Sequence, residues 1–356
     1  MSAGWYTNGK YFSREASRAV NVSLAVVGAT GAVGELIRTV LAERGFRPDR
    51  IKFLASAKSA GKTVTFLGRP HPVEPLTPSA FDGIRLVLSS TPSSVSKEWS
   101  PVAARAGAIV VDNSSAWRMD PAVPLVVPEV NPEALRHIPK GIVANPNCVA
   151  IPLCVALHPL RALAGIKRVV VCTYQSSSGK GATGLTDLDA QLADTAAGRP
   201  VTPTAHRGQL AHNVLTLDWT LDPNGYTEEE NKVADEARKI LGLPDLGVSA
   251  TCVRVPVRVA HSEAVNVEFD RPVSVADARA ALAAAPGVKL LDEAAGEVPQ
   301  PIHAAGTDHT YVGRVRQDPS HPHALNLWLV ADNLRKGAAT NAVQCAEALV
   351  RLGVVR

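Results

Sequence analysis

The sequence predicts an α/β protein whose N-terminal part contains a doubly wound parallel sheet. Residues 22–29 form an apolar, β-rich run that ends in a glycine-rich turn, and one face of an amphipathic helix follows directly. Further strand candidates at residues 51–55, 84–89 and 108–112 alternate with helical segments. Because parallel strands need crossover connections and are covered by helices, this alternation indicates the fold class.

The composition limits the class of protein. The chain has 356 residues, of which 46% are hydrophobic and 20% charged, so it is expected to fold into two ordinary globular domains. A net charge of +4 without a long basic run does not indicate nucleic-acid binding. No apolar stretch is long enough for a membrane span, and the first 20 residues lack the apolar core of a signal peptide. Five cysteines without paired spacing argue against disulfides or a zinc cluster and favour a reduced, cytoplasmic protein.

The turn after the first strand predicts a dinucleotide site. Its glycines have the spacing G-x-x-G-x-x-G, and the following helix has apolar residues at positions 33, 36, 37, 40 and 41. A helix N-terminus in this context can hold a pyrophosphate, although a tight turn without a ligand is the alternative. The residues expected to bind the cofactor here are Gly28, Thr30, Gly31, Ala32, Val33 and Gly34.

The loop after the second strand favours NADP. An NAD enzyme usually places an acidic residue there to bind the ribose 2′-hydroxyl. This loop has no acid and instead carries Ser56, Lys58 and Ser59. Hydroxyls and a lysine fit a 2′-phosphate, so these three residues are expected to bind it; a solvated polar loop is the alternative.

The stretch Asn145-Pro146-Asn147-Cys148 predicts a turn before a buried helix that reaches Ala164. A cysteine in the first turn of that helix would be favoured as the thiolate, which is the nucleophilic form. The alternative is a small buried hydrophobe, and the motif alone does not decide between them. Four other cysteines lie in or beside apolar runs and are expected in the core: Cys154, Cys172, Cys252 and Cys345.

The second half of the chain mixes strands and helices. A strand is expected at residues 167–175, a flexible turn at 176–184 and a helix at 185–197. Residues 199–226 are expected to form excursion or interface loops, and Thr227–Glu230 is a capping box that opens a helix. The remaining expected elements are strands at 251–258, 262–269, 310–316 and 324–331 and helices at 275–285 and 338–352.

Two residues of this half fit the chemistry of a cysteine nucleophile. His261 lies between two strand candidates, and Arg254 precedes it by seven residues. A lone histidine at a strand start is usually structural, and the sequence alone does not place either residue near Cys148. Lys232 follows Glu229 by three residues on the predicted helix, where the two form a solvated pair by default.

These motifs, in this order, resemble the aspartate-semialdehyde dehydrogenase family from about residue 22 to the C-terminus. The matching stretches are Gly28–Gly34, Asp112–Asp120, Val127–Asn131, Asn145–Cys148, Tyr174–Gln175 with Ser178–Gly179, Thr227–Glu230, Arg254–Pro256 with His261–Glu263, and Asn333–Asn341. The resemblance implies a fold similar to glyceraldehyde-3-phosphate dehydrogenase. It would contain a Rossmann-type NADP-binding domain at 22–147, completed by 338–356, and an α+β catalytic and dimerisation domain at 148–337. Residues 1–21 would be an N-terminal extension, and the assembly a homodimer or homotetramer.

The resemblance also implies an activity, the NADPH-dependent reductive dephosphorylation of L-4-aspartyl phosphate to L-aspartate 4-semialdehyde. This reaction serves the biosynthesis of lysine, threonine, methionine and diaminopimelate. Cys148 would be the nucleophile, His261 the acid/base, and Gln175 would position the thioester. The other implied roles are binding of the α-carboxylate by Arg254, of the amino group by Glu229, of phosphate by Arg118, Lys232 and Asn147, and of the cofactor by Ser178, Gly179 and Asn341.

The chain departs from the family pattern in places. The cysteine is followed by Val149-Ala150 where Ser/Thr-Thr is usual, and the loop after the glutamine has Lys180 where alanine is usual. An added cation there could contact phosphate or a carboxylate. The alternatives are N-acetyl-γ-glutamyl-phosphate reductase, whose acylated amine would not need an acidic partner, and a non-catalytic paralogue. A non-catalytic paralogue would be expected to lack the cysteine or the histidine.

Overall fold

The structure, a computed structural model, describes residues 20–355, which divide into two compact units. The first unit contains the described chain up to Pro146 together with the segment from Ala338, and the second is Asn147–Gly337. Residues 1–19 of the expected N-terminal extension lie outside the described residues. Among the helices of residues 20–355, none is both long and apolar enough to cross a membrane.

The helices and strands follow one another as two groups. Up to Pro146 they are β1 (Val20–Val27), α1 (Ala32–Glu43), β2 (Pro48–Ala55), β3 (Thr63–Phe66), β4 (Arg69–Pro75), β5 (Leu86–Ser89), α2 (Ser93–Arg105), β6 (Ile109–Asp112) and β7 (Ile142–Ala144). The second unit contains α3 (Ala150–Leu160), β8 (Ile166–Gln175), α4 (Gly181–Ala196), α5 (Glu228–Leu241), β9 (Gly247–Arg254), β10 (His261–Phe269), α6 (Val275–Ala284), β11 (Val288–Leu290), α7 (Pro301–Ala304), β12 (Thr310–Gln317) and β13 (Ala324–Ala331). The last helix, α8 (Thr340–Arg351), belongs to the first unit.

The first unit is built on a seven-stranded sheet in the order β3-β4-β2-β1-β5-β6-β7. All neighbouring strands are parallel except β3 and β4. The chain moves outward from β1 in one direction and then returns to β5 on its other side, so the sheet is doubly wound, as predicted. In such sheets ligands bind at the carboxyl ends of the strands where the order reverses, which here is between β1 and β5.

The C-terminal helix completes the core of the first unit. Ala342, Val343 and Leu349 of α8 are fully buried and belong to the same hydrophobic cluster as Leu24 of β1. The apolar face of this helix is therefore packed within that core. A buried ion pair also joins α8 to the end of α1: two Arg44 nitrogens each lie 2.7 Å from a Glu347 carboxylate oxygen. Two parallel bonds of this kind fix both side chains.

The second unit is built on a mixed six-stranded sheet in the order β11-β12-β13-β10-β8-β9. Strand β10 pairs antiparallel with both β13 and β8, and β9 pairs parallel with β8. Helix α3, apolar along almost its whole length, packs against α5 and α6. The carboxyl ends of β8 and β9 and the start of β10 meet at one edge, because Gln175 lies opposite Arg254 and Ser262 opposite Tyr174.

Some sequence predictions in this unit are wrong: α3 ends at Leu160 instead of Ala164, β9 ends at Arg254 instead of residue 258, and the loop after β8 is ordered. The turn expected to be flexible at residues 176–184 contains a short helical turn, Ser177–Lys180, and α4 already begins at Gly181. Its serines are buried, and Ser177 Oγ donates to Gly184 O at 2.6 Å. The serine hydroxyls of this segment are bonded inside the protein, which orders it.

Candidate active site

Cys148 lies in a turn just before α3 and is half-buried. The helix is assigned from Ala150, two residues later than the sequence prediction of a cysteine in its first turn. Asn147 nevertheless caps the helix, since its carbonyl oxygen accepts from Ile151 N at 3.1 Å and its Oδ1 accepts from Val149 N at 2.8 Å. These bonds extend the turn back over the cysteine, so the thiol lies at the positive end of the helix dipole.

Helix α5 holds this turn with two buried carboxylates. Glu229 Oε1 accepts from Asn147 Nδ2 and from Gln175 Nε2, each at 3.0 Å, and Glu236 Oε2 accepts from Asn147 N at 2.6 Å. Lys232 is half-buried, with its Nζ 3.8 Å from Glu229 Oε2. The side-chain amides of Gln175 and Asn147 thus both donate to the carboxylate of Glu229. Glu229 is buried, so it does not form the solvated pair expected with Lys232.

His261 is buried at the start of β10, and its bonds select one tautomer. Ser176 N donates to His261 Nδ1 at 2.9 Å, so the neutral ring carries its proton on Nε2. Burial and then the positive charge of Arg254 lower the pKa of His261 well below its ordinary value, which favours that neutral form. Nε2 is buried and has no hydrogen-bond partner within residues 20–355, so its N–H can donate to a bound ligand.

Arg254 is buried at the end of β9 and held in a fixed plane. Its Nε donates to Asp218 Oδ2 at 2.9 Å, its Nη1 donates to Ser176 O at 2.7 Å, and its guanidinium carbon lies 4.5 Å from the centre of the Trp219 ring. Nη2 has no hydrogen-bond partner in the described part of the chain. The N–H groups of Nη2 are therefore available to donate to an anion.

The loop after β8 packs directly on these two residues. A Cβ placed on Gly179 would lie 2.8 Å from Arg254 Nη1 and 3.4 Å from His261 Cε1, so only glycine fits without displacement. The neighbouring Ser178 donates through Oγ to Asn333 Oδ1 at 3.0 Å. The two residues expected at the cofactor are thus fixed beside the candidate acid/base.

The glycine-rich turn of the first unit has the geometry of a phosphate site. Gly28 has φ +79°, and a Cβ there would lie 2.2 Å from Ser90 O. A Cβ on Gly34 would lie 2.2 Å from Gly28 O, so this glycine lets α1 pack on the end of β1. Gly31 is the N-cap residue of α1 without a side-chain cap, and it is exposed between exposed Thr30 and Ala32, with Val33 half-buried. These features fit a dinucleotide pyrophosphate.

The other cofactor and phosphate candidates of this unit differ in accessibility. Ser56 and Lys58 are exposed and Ser59 is half-buried in a short helical turn after β2, next to β1. Asn341 is fully buried and donates through Nδ2 to Asn145 Oδ1 at 2.7 Å and to Val126 O at 2.9 Å. Half-buried Arg118 donates through Nε to the carbonyl oxygen of Asn145 at 3.0 Å and through Nη2 to that of Asn113 at 2.9 Å.

Three residues of the site were not selected from the sequence. Glu236 holds Asn147, Asp218 holds Arg254, and the Oδ1 of Asn333 accepts bonds from two serines of the β8 loop. A signal existed only for Glu236, which lies seven residues after Glu229 and so on the same face of α5. Asp218 lies in an irregular segment whose sequence shows no pattern.

The cysteines and the departures from the family pattern can also be placed. No disulfide joins the five cysteines; Cys154, Cys252 and Cys345 are buried, as predicted, and Cys172 is half-buried. Val149 and Ala150 are fully buried and contribute backbone N–H groups to the Asn147 cap. The Nζ of Lys180 donates to Ala205 O at 2.9 Å and lies 3.1 Å from Asp218 Oδ1. The carboxylate that this added cation contacts is therefore one of the protein's own.

Comparison with known proteins identifies a family for this chain. The family model for the semialdehyde dehydrogenase NAD-binding domain matches residues 23–138, and that for the semialdehyde dehydrogenase dimerisation domain matches residues 157–336. The aspartate-semialdehyde dehydrogenase of Synechocystis is 49% identical, over 93% of this chain and 98% of that protein. The enzyme of the same name from Aquifex aeolicus is 48% identical, over 93% of this chain and 99% of that protein.

A solved structure has the same fold along both units. The crystal structure of aspartate semialdehyde dehydrogenase II from Vibrio cholerae is similar with a TM-score of 0.91 at 44% identity, covering 93% of this chain and 99% of that one. A second structure of the Vibrio protein, in complex with ASA, has the same TM-score and identity. The resemblance seen in the sequence is confirmed: this chain belongs to the aspartate-semialdehyde dehydrogenase family.

Proposed function

We propose that the protein catalyses the NADPH-dependent reductive dephosphorylation of L-4-aspartyl phosphate to L-aspartate 4-semialdehyde, in the cytoplasm and for the biosynthesis of lysine, threonine, methionine and diaminopimelate. The observation that carries the proposal is the turn that presents Cys148, held through Asn147 by Glu229, which also binds Gln175. The close relatives of the same family support the same reaction.

The first step is the formation of a thioester. The Cys148 thiolate attacks the acyl carbon of aspartyl phosphate, the C–O bond to phosphate breaks, and inorganic phosphate leaves. The capped start of α3 supports this role, because its N–H groups and dipole favour the thiolate over the thiol. Gln175, held by Glu229, positions the thioester.

The second step reduces the thioester. When bound, NADPH supplies the hydride that adds to the thioester carbon. His261 Nε2–H donates a hydrogen bond to the oxyanion that forms there. The thiohemiacetal oxyanion then collapses, the C–S bond breaks, and the aldehyde and the thiolate are released. The tautomer set by Ser176 N supports this role, since only a ring protonated on Nε2 can donate at that atom.

Charged residues bind the substrate. The open Nη2 edge of Arg254 binds the α-carboxylate, and Glu229 binds the amino group. Arg118, Lys232 and Asn147 bind the phosphate group. A planar guanidinium held on its other edge suits a carboxylate, because its donors are already oriented.

The cofactor is proposed to be NADP. The glycine-rich turn fits the pyrophosphate, and Ser56, Lys58 and Ser59 provide hydroxyls and a cation for the 2′-phosphate without an acidic residue. Ser178, Gly179 and Asn341 complete the cofactor site. We further propose the domain division 22–147 with 338–356 for the cofactor and 148–337 for catalysis and dimerisation.

A homodimer or homotetramer is proposed as the assembly. The second unit matches a model named for dimerisation, and its irregular segment before α5 exposes four large apolar side chains, Val214, Leu217, Leu221 and Tyr226. Several exposed large apolar side chains in one segment are typical of a surface that another chain covers.

The test is phosphate-dependent reduction of NADP with L-aspartate 4-semialdehyde, the reverse reaction. Wild type should turn over this aldehyde in preference to N-acetyl-L-glutamate 5-semialdehyde, because Glu229 pairs with a free ammonium group. Cys148→Ala should abolish turnover while NADP still binds, measured by fluorescence titration. Cys154→Ala, which removes a fully buried thiol, is the matched control and should remain active. Activity of a few per cent in Cys148→Ala would contradict the thioester route.

A further inference from the structure

The buried carboxylate of Asp218 contacts three basic side chains. Its Oδ2 lies 2.9 Å from Arg254 Nε and 3.1 Å from His206 Nδ1, and its Oδ1 lies 3.1 Å from Lys180 Nζ. Burial alone would raise the pKa of Asp218. Hydrogen bonds from His206, from the backbone N–H of Arg207, from Arg254 and from Lys180 together hold the pKa well below its ordinary value. The carboxylate is therefore charged.

The Asp218 carboxylate has two opposite effects on Arg254. The bond to Nε orients the guanidinium so that the Nη2 edge stays open, which favours binding of an anion. The negative charge beside the guanidinium also offsets its positive charge, which disfavours binding of an anion. An isolated Arg254–Asp218 pair has no net charge.

Lys180 changes this balance. Its Nζ is held by Ala205 O and Asp218 Oδ1, and 77% of its side chain is withdrawn from solvent, since 23% is exposed. The lysine, the arginine and the carboxylate together carry one net positive charge. Because Lys180 follows Gly179, which packs on Arg254 and His261, that charge lies at the rim of the proposed substrate site.

We propose that Lys180 is a specificity-determining residue that, by neutralising Asp218, leaves the charge of Arg254 available to the substrate carboxylate. The proposal rests on the proposed role of Arg254 in binding that carboxylate. Asp218 is then a positioning residue: it orients Arg254, and Lys180 offsets the negative charge that would otherwise weaken the binding of the substrate carboxylate. The substrate class selected is an amino aldehyde or acyl phosphate that carries a free α-carboxylate.

The experiment compares Michaelis constants in the reverse reaction. Lys180→Met removes the charge but keeps most of the length, and should raise KM for L-aspartate 4-semialdehyde about five- to tenfold, as expected for loss of one partly screened charge near an anion. The kcat and the KM for phosphate and for NADP should stay within about twofold. Lys180→Arg should keep the wild-type KM. The control Lys289→Met removes an exposed lysine of the edge strand β11 and should change nothing.

A charge-balanced variant separates electrostatics from loop packing. In Lys180→Met/Asp218→Asn both charges are removed and the amide oxygen can still accept from Arg254, so KM should return toward the wild-type value. An unchanged KM in Lys180→Met, an equal rise in the KM for phosphate, or no recovery in the double variant would overturn the proposal.

Binding provides a readout that does not need turnover. In the Cys148→Ala background, calorimetric titration with L-aspartate 4-semialdehyde should show the same five- to tenfold weakening when Lys180→Met is added, about the size expected for one charge. If the wild type binds but does not turn over the aldehyde, the proposed function fails while the role of Lys180 is still measured. Equal affinities with and without Lys180→Met would refute that role.

Discussion

Replacing Glu263 by Gln should change how the stability of the second unit depends on pH. Glu263 is 1% exposed in β10, inside the sheet, opposite Thr173 of β8 and Leu329 of β13. Its Oε2 has no hydrogen-bond partner within the described residues. Burial raises the pKa of Glu263 well above its ordinary value of 4.5, so between these two pKa values the folded state keeps a proton that the unfolded chain has lost.

The sign and size of the effect follow from linkage. Below pH 4.5 both states hold the proton, and the contribution of Glu263 to stability is fully present. As pH rises from there toward the folded pKa, only the unfolded chain releases its proton, so the free energy of unfolding falls by about 1.4 kcal/mol per pH unit. Because Gln does not ionise, the stability of Glu263→Gln lacks this dependence on pH. Burying its amide changes the free energy of unfolding by the same amount at every pH.

Urea unfolding at half-unit steps from pH 5 to 8, followed by circular dichroism, measures the slope. The free energy of unfolding of Glu263→Gln minus that of wild type should increase by about 1.4 kcal/mol per pH unit until the folded pKa is reached, so the variant gains stability relative to wild type. Glu268→Gln is the matched control, since Glu268 is half-buried on the alternate face of the same strand. A difference between Glu263→Gln and wild type that does not vary with pH would refute the reasoning, because it would mean that Glu263 is ionised in the folded state.

Three further predictions concern the turn before α3 and the helix that holds it. Gly337→Ala should lower kcat about tenfold or more with unchanged NADP affinity in a fluorescence titration, because its Cβ would lie 3.0 Å from the Cβ of Cys148. Glu236→Leu should leave the N–H of Asn147 without its partner, lowering stability by about 1–3 kcal/mol and slowing alkylation of the cysteine, whereas Glu236→Gln should retain much of both. Thr227→Ala removes the capping hydroxyl of α5 and should cost about 1 kcal/mol in urea unfolding without a change in KM.

The architecture of the first unit could be predicted from sequence because its signals are local. A strand buried on both faces reads as a continuous apolar run, and α1 shows its buried stripe within twelve residues. The glycine spacing identifies a turn in which a Cβ at Gly28 or Gly34 would overlap a backbone oxygen. Each of these patterns is contained in fewer than 20 residues, so no distant contact is needed to interpret it.

The β8 loop shows where local signals mislead. A run of serines and glycines after Gln175 has the composition of a flexible turn, yet its hydroxyls bond to Gly184, His206 and Asn333. Hydroxyl groups favour turns when they bond to their own backbone or to water, and order a segment when the fold supplies buried partners. That choice depends on residues up to 157 positions away in the chain.

The doubly wound sheet, the glycine-rich turn and the turn that carries Cys148 could be predicted from the sequence, because periodicity and turn chemistry are short-range. Three features of the site could be assigned only from the fold: the nitrogen of His261 that bears the proton, the orientation of Arg254 by Asp218, and the contact of the Lys180 cation with a carboxylate of the protein itself. These facts join residues 36–85 positions apart in the chain. The tautomer, charge balance and orientation of a buried polar group are set by its partners, and those partners exist only once the fold has brought them together.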